Sequence, residues 1–329
     1  MILASADGEG VPLLAKGCGD TVAQGIVGIM KFVTFSQRGN EAAGLMLSDG
    51  ILPLQAAAER AGESADLGSV LAIIRGGKAA LEACRRLASD ARARTALTPL
   101  ATVQLLSPIP RPVRNAFCVG LNYLDHAKEG AAARMAELKV PQVPIFFTKA
   151  TRTVVAPNAD VRLDPKITQR LDYEVELAVI VGKEGRDISS GAAFDYVFGY
   201  TIANDVTARD LQRRHEQWFK GKSLDTTLPL GPCIVTRDEI EDLKSIELSM
   251  HINGEQRQRA RVEQMIFDIP TLVATLSAGM TLEPGDILAT GTPSGVGFAM
   301  NPPKYLRGGD EMVARIDRIG ELRNRVVEV

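Results

Sequence analysis

The feature that most restricts the fold is a run of five apolar residues, Leu-Ala-Val-Ile-Val, at positions 177–181, which Gly182 ends. A strand with one wet face shows apolar and polar residues in alternation, and this run does not alternate. A continuous run of Leu, Val and Ile is typical of a strand that is covered on both faces. The sequence therefore predicts a strand buried on both sides.

Other short apolar runs predict further strands, and helices interrupt them without strict strand–helix–strand alternation. The predicted strands are Ala116–Val119, Ile145–Thr148, Val154–Ala156, Val197–Ile202, Cys233–Val235 and Ile287–Ala289. The predicted helices are His126–Leu138, Ala208–Trp218 and Ile269–Ser277. This mixture favours an α+β fold over a doubly wound sheet.

Turn residues and prolines divide the chain into four predicted parts. Residues 1–29 have weak periodicity and are predicted to be a peripheral extension. Residues 30–97 are predicted to form a small α+β domain, with a three-stranded meander over 31–54 and two helices separated by Gly76-Gly77. Residues 98–113 contain four prolines and are predicted to be a linker. Residues 114–329 are predicted to form the second, larger domain.

Composition excludes several classes of protein. The net charge is -2, which does not favour binding to nucleic acid or to an anionic membrane. No apolar stretch approaches the roughly 18 residues of a membrane span, and the N-terminus does not resemble a signal peptide. The 4 cysteines form no CxxC pair, which favours free thiols in a reducing compartment. We therefore expect a cytoplasmic protein.

Three carboxylates are candidates for a metal site. Glu174 and Glu176 precede the apolar run with a spacing that places both on one face of a strand, where a cation would relieve their repulsion. Carboxylate oxygens select hard ions such as Mg²⁺, Mn²⁺ or Ca²⁺. Asp205 follows another apolar strand and is a third candidate. Considered singly, the glutamates could equally line a solvated strand edge, and Asp205 could cap a helix.

Further candidates come from three other motifs. His126 and Glu129 are spaced to share a helix face, where the carboxylate would orient the imidazole to deprotonate a water; a surface ion pair is the alternative. Lys222 lies beside a glycine and could reach an oxyanion, or could be a solvated surface lysine. The glycine-rich loop at 291–297 could hold a carboxylate, or form a tight turn.

The order and spacing of five motifs together resemble the fumarylacetoacetate hydrolase family. These motifs are GLNYLDHAKE, DYEVELAVIVG, GYTIANDVTARDLQ, KGKSLDTTLPLGP and PGDILATGTPSGVG, over about two-thirds of the chain. The resemblance implies a mixed β-sheet roll, with a small N-terminal accessory domain that the shortest members lack. It also implies a homodimer that uses Mg²⁺ or Mn²⁺, with Ca²⁺ as a further candidate.

The resemblance also implies a role for each candidate residue. The implied metal ligands are Glu174, Glu176 and Asp205, and the implied catalytic residues are His126, Glu129 and Lys222, with the first two on a segment that orders over substrate. The implied substrate contacts are Tyr123, Arg209, Gln212 and Thr292.

From these roles we expect a hydrolase that cleaves a C–C bond in an acylpyruvate or β-diketo acid through a metal-bound enolate. Decarboxylation of oxaloacetate is the second alternative. Hydration or isomerisation of a 2-oxo-alkenoate from aromatic catabolism is the third. A protein that binds metal or ligand without catalysis is the non-enzymatic alternative.

Overall fold

The computed structural model describes residues 29–329, which form eighteen strands and seven α-helices. The strands are β1 Lys31–Gln37, β2 Asn40–Leu47, β3 Gly50–Pro53, β4 Gln104–Leu106, β5 Ala116–Gly120, β6 Ile145–Lys149, β7 Val154–Val155, β8 Asp160–Leu163, β9 Leu171–Asp172, β10 Val175–Val181, β11 Val197–Asn204, β12 Thr207–Ala208, β13 Leu228–Thr236, β14 Glu247–Ile252, β15 Glu255–Arg261, β16 Ile287–Ala289, β17 Glu311–Ile316 and β18 Gly320–Glu328. The helices are α1 Leu54–Ala61, α2 Val70–Ser89, α3 Ala91–Arg94, α4 Leu124–Ala133, α5 Arg209–Arg214, α6 Phe219–Lys222 and α7 Ile269–Ser277. Except for Ile29, the predicted extension over 1–29 lies outside the described residues.

Two large sheets build the fold. The first runs in the order β3-β2-β1-β13-β11-β10-β16-β5-β6, with β4 beside β1 and β7 beside β13. The second runs β15-β14-β17-β18-β8, and β9 pairs with β12 in a small third sheet. Most pairs are antiparallel, whereas β16–β5, β13–β7 and β18–β8 are parallel. The prediction of an α+β fold with mixed sheets is confirmed.

Strand β10 lies inside the first sheet and is buried on both faces, as its apolar run predicts. Leu177 and Val179 belong to an apolar core that also contains Met250 of the second sheet. Ala178 and Ile180 belong to a second core that contains the apolar faces of α1 and α2. Odd-numbered residues of β10 thus pack against the second sheet on one face, and even-numbered residues pack in the core shared with helices α1 and α2 on the other.

The predicted N-terminal meander is present as β1, β2 and β3. Arg38 and Gly39 connect the first hairpin with positive φ angles, as a two-residue turn requires. The two helices predicted on either side of Gly76-Gly77 are the two halves of α2, which Gly77 interrupts with non-helical backbone angles, a φ of 55° and a ψ of -137°. Helix α1, which follows β3 directly, was not predicted.

The N-terminal segment does not have a sheet or a core of its own. Strand β1 pairs with β13, and the second apolar core joins the helices of residues 54–89 to strands of the catalytic region. The proline-rich segment is not a free linker either, because its strand β4 pairs with β1. The exact division at 97 and 114 stays a prediction.

Two helices near the site are shorter than the sequence predicts. Helix α4 ends at Ala133 rather than Leu138, because Met135 has a φ of 50° and cannot continue a right-handed helix. Of the helix predicted over Ala208–Trp218 only α5 is present, which ends at Arg214; Glu216 beyond it has a φ of 51°, and α6 begins after the predicted range. Among the described residues, no helix has the length and apolar character that crossing a membrane requires.

Candidate metal and catalytic site

The three predicted metal ligands meet where β10 begins and β11 ends. Because these strands are antiparallel neighbours, the start of one lies beside the end of the other, and the Asp205 N–H donates to the Glu174 carbonyl over 2.9 Å. One carboxylate oxygen from each of Glu174, Glu176 and Asp205 lies within 4.8 Å of the other two. All three side chains are buried, so neither the solvated strand edge nor the helix cap describes them.

Three buried cations pair with two of the three carboxylates in this cluster. Lys222 Nζ lies 2.7 Å from Glu174 Oε2 and 2.7 Å from Asp205 Oδ2. Lys149 Nζ forms an ion pair with Asp205 Oδ1 at 2.8 Å. Arg209 Nη2 forms another with Glu174 Oε1 at 2.6 Å. Every oxygen of two of the three carboxylates therefore has a cationic partner.

Glu174 and Glu176 respond differently to this environment. Burial opposes ionisation of Glu174, but the charges of Lys222 and Arg209 outweigh it and lower its pKa to about 2. Burial, with the negative charges of Asp205 and Glu174, raises the pKa of Glu176. Its Oε2 accepts a hydrogen bond from the Gly291 N–H at 2.8 Å, and no described cation pairs with it. The cluster thus retains one carboxylate without a countercharge.

The donor set fits a hard divalent cation. The three carboxylates supply only oxygen atoms, are close enough to contact a common ion, and are short of one positive charge at Glu176. Mg²⁺, Mn²⁺ and Ca²⁺ prefer such oxygen ligands. Glu174, Glu176 and Asp205 are therefore the residues of the described chain that could hold a metal.

The predicted dyad is formed on α4. His126 Nδ1 lies 2.9 Å from Glu129 Oε1, and both side chains are largely buried, which makes a surface ion pair the wrong description. Glu129 Oε2 accepts a further bond from the Gly295 N–H at 2.8 Å. His126 lies close enough to Glu174 that it would help to lower the pKa of that carboxyl whenever the imidazole is protonated. The imidazole is thus held beside the carboxylate cluster by a carboxylate that is itself anchored.

The glycine-rich loop holds carboxylates of the protein itself. Gly291 donates to Glu176 and Gly295 to Glu129, while the Gly297 N–H donates to Asp172 Oδ1 over 2.8 Å. Gly291 has a φ of 98°, and a Cβ there would lie 2.7 Å from that of Asn122. Glycine is required because the backbone must approach closely with a positive φ. The loop therefore orients both the cluster and the dyad.

The predicted substrate residues surround the same site, and their roles toward substrate stay predictions. The Thr292 hydroxyl donates to the Val175 carbonyl and accepts from Gln258, so only its backbone is free to contact a ligand. Gln212 accepts from Arg209 at 3.2 Å, which leaves its amide N–H groups available. The Tyr123 hydroxyl is buried and has no hydrogen-bond partner within residues 29–329.

Two residues of the site carried no predicted role. Lys149 ends β6 and is fully buried, although the sequence around it reads only as a strand. Asp172 accepts from Arg209 Nε at 2.9 Å and from two N–H groups at Gly297 and Phe298. The alternation of Asp172 with Glu174 and Glu176 was a usable signal for this residue. No local pattern distinguishes Lys149 from a surface lysine.

Comparison with known proteins agrees with this geometry. Residues 115–327 match the profile of the family described as fumarylacetoacetate (FAA) hydrolase C-terminal. The chain is 44% identical over 304 residues to the oxaloacetate tautomerase YisK of Bacillus subtilis (strain 168), covering 90% of this chain and 100% of that protein. It is 42% identical over 252 residues to the mitochondrial oxaloacetate tautomerase Fahd2a of Rattus norvegicus, covering 76% of this chain and 77% of that protein.

A solved structure gives the same result for the fold. The fumarylacetoacetate hydrolase EaFAH from the psychrophilic Exiguobacterium antarcticum has a TM-score of 0.75 and 38% identity, covering 91% of this chain and 100% of that one. The family profile covers more than half of the chain. The two relatives are 44% and 42% identical to it, a level at which proteins share a fold. The chain therefore belongs to the fumarylacetoacetate hydrolase family.

Proposed function

We propose that this protein catalyses keto–enol tautomerisation of a small 2-oxo dicarboxylate of the oxaloacetate type. The observation that carries the proposal is the anchored His126–Glu129 pair beside a carboxylate cluster that fits a divalent cation. The two relatives reported above, both named oxaloacetate tautomerases, support the choice of reaction.

Tautomerisation moves one proton between the carbon next to the 2-oxo group and the oxygen of that group. It needs a residue that takes the proton and returns it, and positive charge near the oxygen. His126 can move the proton: with Nδ1–H donated to Glu129, its Nε2 is left as the acceptor. Because Gly295 anchors Glu129, the imidazole keeps one orientation through the cycle.

The second requirement belongs to the cluster. Glu174, Glu176 and Asp205 would hold Mg²⁺ or Mn²⁺, which when bound supplies a Lewis acid for the oxygens of the substrate. Lys222 lies against two of these carboxylates, where its ammonium would favour negative charge on a bound oxygen. The free amide N–H groups of Gln212 would orient the substrate carboxylate.

C–C bond hydrolysis, expected from the sequence, is the second candidate. The same dyad could deprotonate a water instead of a carbon, so His126 and Glu129 could serve both reactions. Oxaloacetate decarboxylation would also use this site. The homodimer and the cytoplasmic location stay predictions, and light scattering of the purified protein would test the first.

The assay follows three signals with Mg²⁺ or Mn²⁺, with and without chelator. These are loss of the ultraviolet absorbance of enolic oxaloacetate, formation of the keto form, and pyruvate release from oxaloacetate, acetylpyruvate and fumarylpyruvate. A tautomerase removes the enol in a chelator-sensitive way and releases no pyruvate. Pyruvate from the diketo acids would instead identify the hydrolase, and pyruvate from oxaloacetate alone the decarboxylase.

Two variants separate the roles in the site. We expect His126→Ala to lower turnover by about a hundredfold or more and to leave metal binding unchanged. Glu174→Gln should abolish both turnover and metal binding, since it removes a ligand. No catalysis with any substrate, together with retained metal binding, would favour the non-enzymatic alternative.

A further inference from the structure

The hydroxyl of Tyr173 contacts the residue of the glycine-rich loop that anchors the dyad. Tyr173 is buried, and its hydroxyl donates to the Gly295 carbonyl over 3.0 Å. The N–H of the same glycine donates to Glu129 Oε2 over 2.8 Å, and Glu129 Oε1 lies 2.9 Å from Nδ1 of His126. A chain of three hydrogen bonds therefore joins the Tyr173 hydroxyl to the imidazole.

Arg257 sets the direction of this chain. Its Nη1 lies 3.4 Å from the hydroxyl oxygen of Tyr173, and a guanidinium group can only donate. The hydroxyl oxygen accepts from Arg257, so its own proton is directed to the Gly295 carbonyl. Arg257 is held in turn by Glu255, whose Oε2 lies 2.8 Å from Nη2. The hydroxyl of Tyr173 is thus set to donate to the loop.

The backbone at Gly295 depends on such contacts for its orientation. Gly295 has a φ of 102°, and a Cβ there would overlap the carbonyl oxygen of Arg257, so the position requires glycine. Glycine has access to more backbone conformations than any other residue and does not hold one by itself. The Pro293 carbonyl, two residues earlier, is held by Gln258 at 2.8 Å. Tyr173 supplies the corresponding contact at Gly295, where the loop meets the dyad.

We propose that Tyr173 is a positioning residue of the dyad. Its hydroxyl fixes Gly295, which holds Glu129, and the fixed carboxylate keeps the imidazole of His126 in the Nδ1–H tautomer. Only that tautomer leaves Nε2 free to accept a proton. The inference rests on the proposed function in one respect, namely that His126 moves the proton. Because Tyr173 acts through other residues, it should affect turnover rather than substrate binding.

The experiment replaces Tyr173 by phenylalanine, which keeps the buried ring and removes only the hydroxyl. Nitrogen-15 NMR of the full chain with Mg²⁺, at alkaline pH, distinguishes the two neutral tautomers of an imidazole. The chain has 3 histidines, and His126→Gln identifies the signals of His126. We expect the ratio of Nδ1–H to Nε2–H at His126 to fall about fivefold in Tyr173→Phe, which is the effect of losing one net hydrogen bond.

Kinetics give a second readout of the same variant. In the assay of enolic oxaloacetate, kcat should fall about fivefold while KM stays within about twofold, because the hydroxyl is not expected to contact substrate. Tyr200→Phe is the matched control: Tyr200 is another buried tyrosine, which lies on β11 opposite Val235 of β13. This control should change neither the tautomer ratio nor kcat.

Three results would overturn the inference. The first is an unchanged tautomer ratio in Tyr173→Phe, and the second is an equal change in Tyr200→Phe. The third is a higher KM with an unchanged kcat, which would mean that the hydroxyl binds substrate directly. A wild type without tautomerase activity would count against the proposed function instead, and the tautomer ratio would still decide whether Tyr173 positions the dyad.

Discussion

Replacing Lys149 by methionine should separate two effects of one buried charge. Lys149 is 0% exposed, forms the ion pair with Asp205 and donates to the Val206 carbonyl at 2.9 Å. Methionine has a similar length and no charge. The variant therefore removes a cation and a donor from the carboxylate cluster while largely filling the same space.

The two effects have opposite signs. Breaking a buried ion pair costs about 3–5 kcal/mol, so the free energy of unfolding in chelator should fall by that amount. The three carboxylates of the cluster, together with that of Asp172 beside it, face three cations, so losing one cation changes the net charge of this group from -1 to -2 when every member is ionised. Since unit charges about 4 Å apart interact by about 4 kcal/mol near a protein surface, we expect affinity for a divalent cation to rise at least about tenfold.

The measurement combines urea unfolding in chelator with a Mn²⁺ titration. Lys304→Met is the control, because Lys304 forms an exposed pair with Glu255 and should change neither quantity by more than about 1 kcal/mol. Added Mn²⁺ should restore more stability to the Lys149 variant than to the wild type. Weaker metal binding in that variant would refute the charge argument and would mean that Lys149 serves chiefly to orient Asp205.

Two further predictions concern packing and thiol chemistry. Gly221→Ala should lower the free energy of unfolding by about 1–3 kcal/mol and reduce activity, because the added Cβ would clash with the backbone nitrogen of Gln212 and lie 2.6 Å from the Cα of Gln212. Gly191→Ala is the control for thermal unfolding and should change little, because nothing lies within 4 Å of a Cβ at Gly191. Burial raises the pKa of Cys84 to about 12, so its thiol stays protonated until the pH approaches that value. Alkylation of Cys84 near pH 9 should therefore be at least about a hundredfold slower in the folded than in the unfolded protein. Peptide mass spectrometry would measure the two rates.

Local spacing was sufficient to identify the carboxylates. Glu174 and Glu176 alternate ahead of a buried strand, and Asp205 ends another, so antiparallel pairing of the two strands was enough to bring them together. The His126–Glu129 pair needed only one helical turn. The carboxylate spacing and the His126–Glu129 pair depend only on residues close together in the chain, and periodicity can therefore predict them.

The partners of those carboxylates depend on contacts between distant segments. Lys149 meets Asp205 although the two are 56 positions apart in the chain, and the loop glycines reach Glu176 and Glu129 from more than a hundred residues away. No periodicity encodes these contacts, because they arise only when the sheet has formed. The pairing of β1 with β13, which joins the N-terminal strands to the first sheet, is also a contact between distant segments. The sequence did not predict it, because the prolines of residues 98–113 indicated a linker between two separate domains.

The pairing of β1 with β13 also protects the protein against self-association. An unpaired strand at the edge of a sheet offers free backbone groups to any other chain. A fragment beginning at residue 98 would leave part of β13 in that state and would uncover apolar residues such as Leu230 and Ile234, which are fully buried beside the N-terminal strands and helices. The N-terminal meander therefore covers an edge and an apolar surface of the first sheet. We expect a fragment that lacks the meander to aggregate.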